Sequence, residues 1–335
     1  MEYRRLGRTG LKASRIILGC GNFGGVGSAP EFFGMGESRK EAFRLMDEAW
    51  EMGVNLFDSA DSYGGGRSES YIGKWLKSKP SQVREQILIS SKVFNPVGEG
   101  PNDRGLSRRH IRRQVEASLG RLGVDRLDLY LIHEPDPETP LQETLGSLDD
   151  LVHQGKLHYI GASNIEAWRL AKALWCSDKH GLIRFEWVQS SYSLLDRSPE
   201  QEVFPLCEDQ GLGFTPFGPL AGGWLTGKYR QGQGYPPGSR MTLRPEPYQH
   251  LESGRVFDGL EGLKEAAEQR GVQTAALALA WVLSHPQVTA VIIGPRRPEH
   301  FEPVREALGL ELSREERNQL AGLFREGGPR NSRKP

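Results

Sequence analysis

Short apolar runs alternate with longer amphipathic ones along most of this chain. The short runs are SRIILGC, VNLFD, QILISSK, LDLYLIH, LHYIGASN, FEWVQ, LGFTPF and TAVIIG. Each has strand length and β-branched or aromatic content, the pattern of strands buried on both faces. Between them lie stretches whose apolar positions recur three and four apart. SRKEAFRLMDEAWEMG predicts a helix from an N-cap at Ser38 to a stop at Gly53, and SRRHIRRQVEASLGRLG one from Ser107 to Gly123. ETLGSLDDLVHQG, IEAWRLAKALW, SPEQEVFPLCEDQG with Pro199 in its first turn, TAALALAWVLSH and PEHFEPVREALG complete the set.

Eight strands alternating with helices predict parallel βαβ units, closed as a barrel or opened as a doubly wound sheet. The strand count, without a dinucleotide fingerprint after the first strand, favours an α/β fold of the TIM (β/α)8 barrel type. GCGNFGGVG does hold a GxGxxG-like spacing in Gly19, Gly21 and Gly24. Pro30 and Gly34 to Gly36 then follow where that motif needs a capped helix. Ahead of the barrel, residues 1–15 read as a β-hairpin expected to plug its N-terminal end. The Gly-, Pro- and Tyr-rich stretch Leu220–Gly254 falls after the seventh strand and is expected to be a long loop over the mouth. The chain 1–335 reads as a single domain, with 327–335 a flexible basic tail.

The polar residues that interrupt the strands share one position. Asp58 ends VNLFD, Lys92 ends QILISSK and His133 ends LDLYLIH; Ser163 and Asn164 end LHYIGASN, and Gln189 ends FEWVQ. In a (β/α)8 barrel these ends form the C-terminal face, where catalytic residues collect. Taken singly, Asp58 suits a turn cap, Lys92 a snorkelling side chain, His133 a satisfied core histidine and Tyr63 a turn aromatic. Together, those four readings require four coincidences at one barrel mouth.

An Asp, Lys, Tyr and His set suits the reduction of a carbonyl by hydride, which builds negative charge on oxygen and calls for a proton donor. Tyrosine is a weak acid at its ordinary pKa near 10. A neighbouring ammonium, Lys92 held by Asp58, is expected to stabilise the phenolate and lower that pKa. The His133 imidazole can donate a hydrogen bond to the same oxygen.

Composition narrows the partners. Lys+Arg and Asp+Glu are both 43, so no net charge draws the chain to nucleic acid or an anionic membrane. No run of 18 apolar residues occurs, and MEYRRLGRTGLKASRI, charged and without an apolar run, is expected to be neither a signal peptide nor an anchor. Cys20, Cys176 and Cys207 form no complete disulfide set and match no zinc spacing, so reduced thiols, a cytoplasmic location and no metal are expected.

Several segments resemble the aldo-keto reductase family over nearly the whole chain. They are NLFDSADSYGGGRSESYIGKWL, ILISSK, GVDRLDLYLIHEPD, GKLHYIGASN, WVQSSYSLL, TPFGPLAGGWLTGKY and VIIGPRRPEHF. GRTG and LTGKY resemble the bacterial and potassium-channel-β-like branch. The resemblance implies Tyr63 as general acid, Lys92 and Asp58 as its tuners, His133 as the orienter, and NADPH as hydride source. It also implies cofactor contacts at Gly21, Asn22 and Asp58, carboxamide contacts at Ser163, Asn164 and Gln189, and Phe217 stacked on the ring. Gly218, Pro219, Leu220 and Gly222, with Ala221 among them, fall at the pyrophosphate. Lys228 and Arg240 supply cations to it, and Gly294, Arg296 and His300 meet the adenosine end. Pro303 and Val304 stand where the family often has Glu-Asn at adenine. Phe23, Phe32, Phe33 and Tyr63 are candidates for an apolar mouth around a small-molecule carbonyl: an aldehyde, a ketone or a keto-sugar. A homo-oligomer stays open.

Three alternatives remain at this stage. An NADPH-binding regulatory subunit with little turnover would not need the four-residue set. A metal-dependent hydrolase wants paired histidines after an early strand, which GCGNFGG lacks. A sugar-phosphate isomerase leaves the GASN and VQS strand ends without a role.

Overall fold

The structure is a computed structural model that describes residues 1–324. The expected tail, 327–335, lies outside the described residues. Two compact units are present: Met1–Ser190, Pro199–Phe217 and Gln287–Phe301 form the first, and Ser191–Ser198, Gly218–Pro286 and the segment from Glu302 onward form the second.

Among the described residues, every strand lies in the first unit. β1 (Tyr3–Arg5) and β2 (Lys12–Ser14) pair antiparallel as the expected hairpin. β3 (Ile16–Gly19), β4 (Leu56–Asp58), β5 (Leu88–Val93), β6 (Leu127–Ile132), β7 (Leu157–Ser163), β8 (Phe185–Gln189), β9 (Gly213–Phe214) and β10 (Val291–Ile293) follow. They form one parallel sheet in the order β10-β3-β4-β5-β6-β7-β8-β9. Its two edges meet: Thr289 N–H donates to Phe214 O at 2.8 Å and Ile292 N–H to Pro216 O at 2.9 Å. The fold is thus a (β/α)8 barrel, and all eight strands coincide with the apolar runs.

Strand periodicity explains what fills it. Ile17, Leu56, Leu129, Leu131, Trp187 and Ile292 point inward as one apolar cluster, joined by Leu6 and Ala13 of the hairpin segment. The hairpin therefore closes the bottom by burying its own side chains in the barrel core. Its turn passes so close to the strands that a Cβ on Gly7, at φ +56°, would lie 2.3 Å from Glu186 O. Outward residues pack on helices instead; Phe57 meets Trp75 at a ring separation of 5.3 Å.

The capping signals hold where they were clear. Helix Arg39–Glu51 carries a full capping box at Ser38, and Arg108–Leu122 is capped by Ser107 and stopped by Gly123 at φ +67°. SPEQEVFPLCEDQG departs from expectation. Pro199 sits in a separate 3-10 turn, Ser198–Glu200, and the α-helix is Val203–Gln210, with Pro205 in its first turn. Helices Arg67–Ser78 and Gly254–Gln269 lie where no helix was expected.

In the second unit, Leu220–Gly254 is not the featureless loop expected. It holds the 3-10 turns Ala221–Thr226 and Gln249–Leu251 and a short helix, Arg240–Leu243. Buried Trp224 packs against Tyr229 and Tyr235 within the segment and against Phe257 of the helix Gly254–Gln269 that follows it.

Candidate active site

The barrel's inward rows run from apolar to polar as they reach the C-terminal end. Leu56 leads to Asp58, Leu88 through Ser90 to Lys92, Leu131 to His133, Tyr159 through Gly161 to Ser163, and Trp187 to Gln189. Each step is two residues, so the alternation that buries the leucines also brings these polar groups into one layer.

Lys92 Nζ donates to Asp58 Oδ2 at 2.6 Å and to Ser59 O at 2.8 Å; Lys92 is fully buried and Asp58 is 4% exposed. The other carboxylate oxygen, Oδ1, accepts from Ser90 Oγ at 2.9 Å and Gln189 Nε2 at 3.2 Å. Burial works against the ammonium, but Asp58 and Tyr63 together outweigh it and the Lys92 pKa is raised, so the side chain stays charged. That charge lies 5.1 Å from the Tyr63 ring centre. Tyr63 is partly exposed, and its hydroxyl is 3.5 Å from His133 Nε2.

The expected lowering of the Tyr63 pKa does not prevail. Burial raises it, Lys92 lowers it, Asp58 raises it again, and the net direction is up. Lys92 is thus a counterweight to desolvation, and the hydroxyl keeps its proton at neutral pH.

His133 is 9% exposed, and burial followed by the Lys92 charge pushes its pKa down to about 3. Its Nδ1 faces Asn95 Nδ2 at 3.0 Å. With that amide donating to Nδ1, the ring proton sits on Nε2 and points to the Tyr63 side. Asn164, at φ +52°, donates to His133 O at 3.0 Å and fixes the strand end behind the ring. The pH consequence follows directly. The folded state holds His133 neutral where the unfolded chain, near 6.5, takes up a proton, so its share of stability is present above 6.5 and is lost progressively toward about 3. Between about pH 5 and 8, kcat/KM should therefore show no limb from this group. A limb near 6.5 that disappears in His133→Ala would contradict it.

Other expected residues are placed as follows. The Ser163 Oγ is buried and has no hydrogen-bond partner among the described residues, an open polar group at the inner end of β7 that suits an amide-bearing ring. Gly21 faces Tyr63; a Cβ there would lie 3.5 Å from the phenol ring. Asn22 Nδ2 lies 3.9 Å from a Cβ built on Gly294. Phe217 is half-buried against the inner cluster and donates its N–H to Ser190 O at 3.1 Å. Arg296 pairs through Nε with Glu37 at 2.7 Å, and its N–H donates to His300 Nδ1 at 3.1 Å. Phe23 does not line a mouth. It is 1% exposed, turned inward where its N–H donates to Cys20 O, whereas Phe32 and Phe33 stay partly exposed.

Gly218, Pro219, Leu220, Gly222, Lys228 and Arg240 belong to the second unit. There Gly218, Ala221, Gly222 and Gly223 all have positive φ, and a Cβ on Gly222 would lie 2.6 Å from the Tyr248 ring. Such left-handed runs turn successive peptide groups toward one side, as anion-binding loops do. Lys228 Nζ lies 5.1 Å from the Tyr229 ring centre, and Arg240 opens its short helix.

Sequence reasoning missed Asn95, Ser90 and Glu37. Ser90 was legible, since it shares the inward row of Lys92. Asn95 and Glu37 sit in loops, where periodicity carries no signal.

Comparison with known proteins agrees with this geometry. The "Aldo/keto reductase family" profile matches residues 15–324. "Uncharacterized oxidoreductase YrpG" of Bacillus subtilis is 40% identical, over 97% of this chain and 96% of its own. A "Probable voltage-gated potassium channel subunit beta" of Arabidopsis thaliana is 36% identical, over 90% of this chain and 89% of its own. "Versiconal hemiacetal acetate reductase" of Aspergillus parasiticus is 33% identical, over 94% and 95% respectively. With a profile match across nearly its whole length and the buried Asp58–Lys92 pair beside Tyr63 and His133, the chain belongs to the aldo/keto reductase family of oxidoreductases.

Proposed function

We propose that this protein is an NADPH-dependent reductase that converts the carbonyl of an aldehyde, ketone or keto-sugar to an alcohol, with Tyr63 as general acid. The observation that carries the reading is the Tyr63 hydroxyl, 3.5 Å from His133 Nε2 and beside an ammonium that is itself paired with Asp58.

The nucleotide, when bound, supplies the hydride. Ser163, Asn164 and Gln189 would hold its carboxamide, and Gly21, Asn22 and Phe217 would border the ring. Gly218, Pro219, Leu220 and Gly222 would offer backbone to the diphosphate, with Lys228 and Arg240 as cations; Gly294, Arg296 and His300 would take the adenosine end. The substrate oxygen sits between Tyr63 and His133. Tyr63 gives it a proton, and Lys92 stabilises the phenolate left behind. Asp58 keeps Lys92 charged and aimed. Neutral His133 donates from Nε2 to the same oxygen and sets which way the carbonyl faces.

NADPH should be preferred to NADH, with Arg296 as the main cause. A guanidinium meets the doubly charged 2′-phosphate with charge-assisted bonds. Arg296→Ala should weaken NADPH by roughly 2 kcal/mol, or about thirtyfold, and leave NADH nearly unchanged. Fluorescence titration of both nucleotides measures this, and parallel weakening would remove Arg296 from the site.

The similarity to proteins described as channel β subunits supports a second reading, an NADPH-binding regulatory subunit with little turnover. NADPH oxidation across a panel of aldehydes, ketones and keto-sugars tests the two. Turnover with several of them fits the reductase, and binding without oxidation fits the regulator.

A further inference from the structure

Arg296 does not stand alone at the end of β10. Its Nε donates to Glu37 Oε1 at 2.7 Å, and Glu37 is 4% exposed. A buried carboxylate ordinarily finds partners for both oxygens. Here Oε2 has no hydrogen-bond partner among the described residues, so the carboxylate is spent on the arginine rather than on the fold.

Glu37's backbone is fixed by other means. Its N–H donates to Asn22 O at 2.9 Å, and its carbonyl accepts from Gly24 N–H at 2.9 Å. The side chain therefore extends from an anchored strap, and helix Arg39–Glu51 starts just beyond it under its own capping box at Ser38. On the other side, the Arg296 N–H donates to His300 Nδ1. The arginine is held at its backbone by His300 and at its guanidinium by Glu37.

We propose that Glu37 is the positioning residue for nucleotide preference: by gripping Arg296 through Nε, it holds the guanidinium fork toward the 2′-phosphate. The inference rests on the reading that Arg296 meets that phosphate. A long arginine side chain loses considerable rotamer freedom when it binds an anion, and an arginine already held loses less. NADH has no phosphate there, so Glu37 has no lever on it.

The test is a set of dissociation constants for NADPH and NADH by fluorescence titration. The proteins are the wild type, Glu37→Ala, Glu37→Gln, Arg296→Ala and the double variant Glu37→Ala/Arg296→Ala. Glu37→Ala should weaken NADPH about tenfold and leave NADH within about twofold. Glu37→Gln keeps an oxygen acceptor for Nε without the charge, and should restore NADPH affinity to the wild-type value or better. In the Arg296→Ala background, Glu37→Ala should change neither constant. Equal weakening of both nucleotides by Glu37→Ala would make Glu37 a structural residue and overturn the proposal. Failure of Glu37→Gln to rescue, or a further NADPH loss in the double variant, would overturn it as well. If Arg296→Ala weakens NADPH selectively and Glu37→Ala does not, only this inference falls. If Arg296→Ala leaves NADPH unchanged, the phosphate assignment itself falls and takes this inference with it.

Discussion

Tyr63→Phe is expected to lower turnover by about 10²–10⁴-fold while NADPH binds as tightly as before. The phenol hydroxyl lies 3.5 Å from His133 Nε2 on one side and shares the Lys92 charge on the other, and both relations matter when the substrate oxygen takes up a proton. An interaction made in the transition state alone appears in kcat and kcat/KM, with no change in nucleotide affinity. Phenylalanine keeps the ring, its packing against Gly21 and its edge contact with the His133 ring at 5.5 Å, so the fold should be undisturbed. Single-turnover kinetics with bound NADPH separates the two effects. Reduction of aldehydes at near wild-type rates by this variant would show that the proton comes from elsewhere.

Asp58→Ala should cost about 3–5 kcal/mol of stability, along with most activity. Lys92 is fully buried, and the substitution takes away its charged partner while Ser59 O, at 2.8 Å, stays. It also removes the oxygen that Ser90 and Gln189 share. Urea unfolding reads the stability change. A companion variant tells electrostatics from packing: Asp58→Leu combined with Lys92→Met removes both charges together and should recover much of the loss, with activity still absent. If Asp58→Ala costs less than about 1 kcal/mol, the pair is no stronger than an exposed one and does not hold Lys92 charged.

The parts legible in the sequence are those that periodicity and capping govern. The eight strands were legible because a parallel barrel strand is apolar on both faces and bounded by turns, and the candidate residues stood out because each row's last inward position is polar. Helix Arg67–Ser78 escaped because its N-cap is Gly66 in the left-handed region, with two more glycines just before it, so no Ser, Thr or Asp marks the start. Helix Gly254–Gln269 has a capping Ser253, but its interior glycines look like a loop. A Cβ on Gly259 would lie 2.6 Å from the Phe324 ring, so that glycine serves close packing rather than a turn. The Tyr63 pKa was misjudged because the sequence shows the neighbouring cation but not the depth of burial, and burial dominates. Glu37 was invisible for a similar reason: its partner is 259 residues away in the chain.

Reduction by this protein requires hydride transfer to a carbonyl carbon within the barrel. Its most direct test is incubation of the protein with NADPH deuterated at the transferable nicotinamide C4 position and 4-nitrobenzaldehyde, followed by mass spectrometry of the product. 4-Nitrobenzyl alcohol with one deuterium on the carbinol carbon should form in step with NADP, and none should form with Tyr63→Phe on the same timescale. Alcohol without deuterium, or bound NADPH that reduces no carbonyl in the panel, would contradict it.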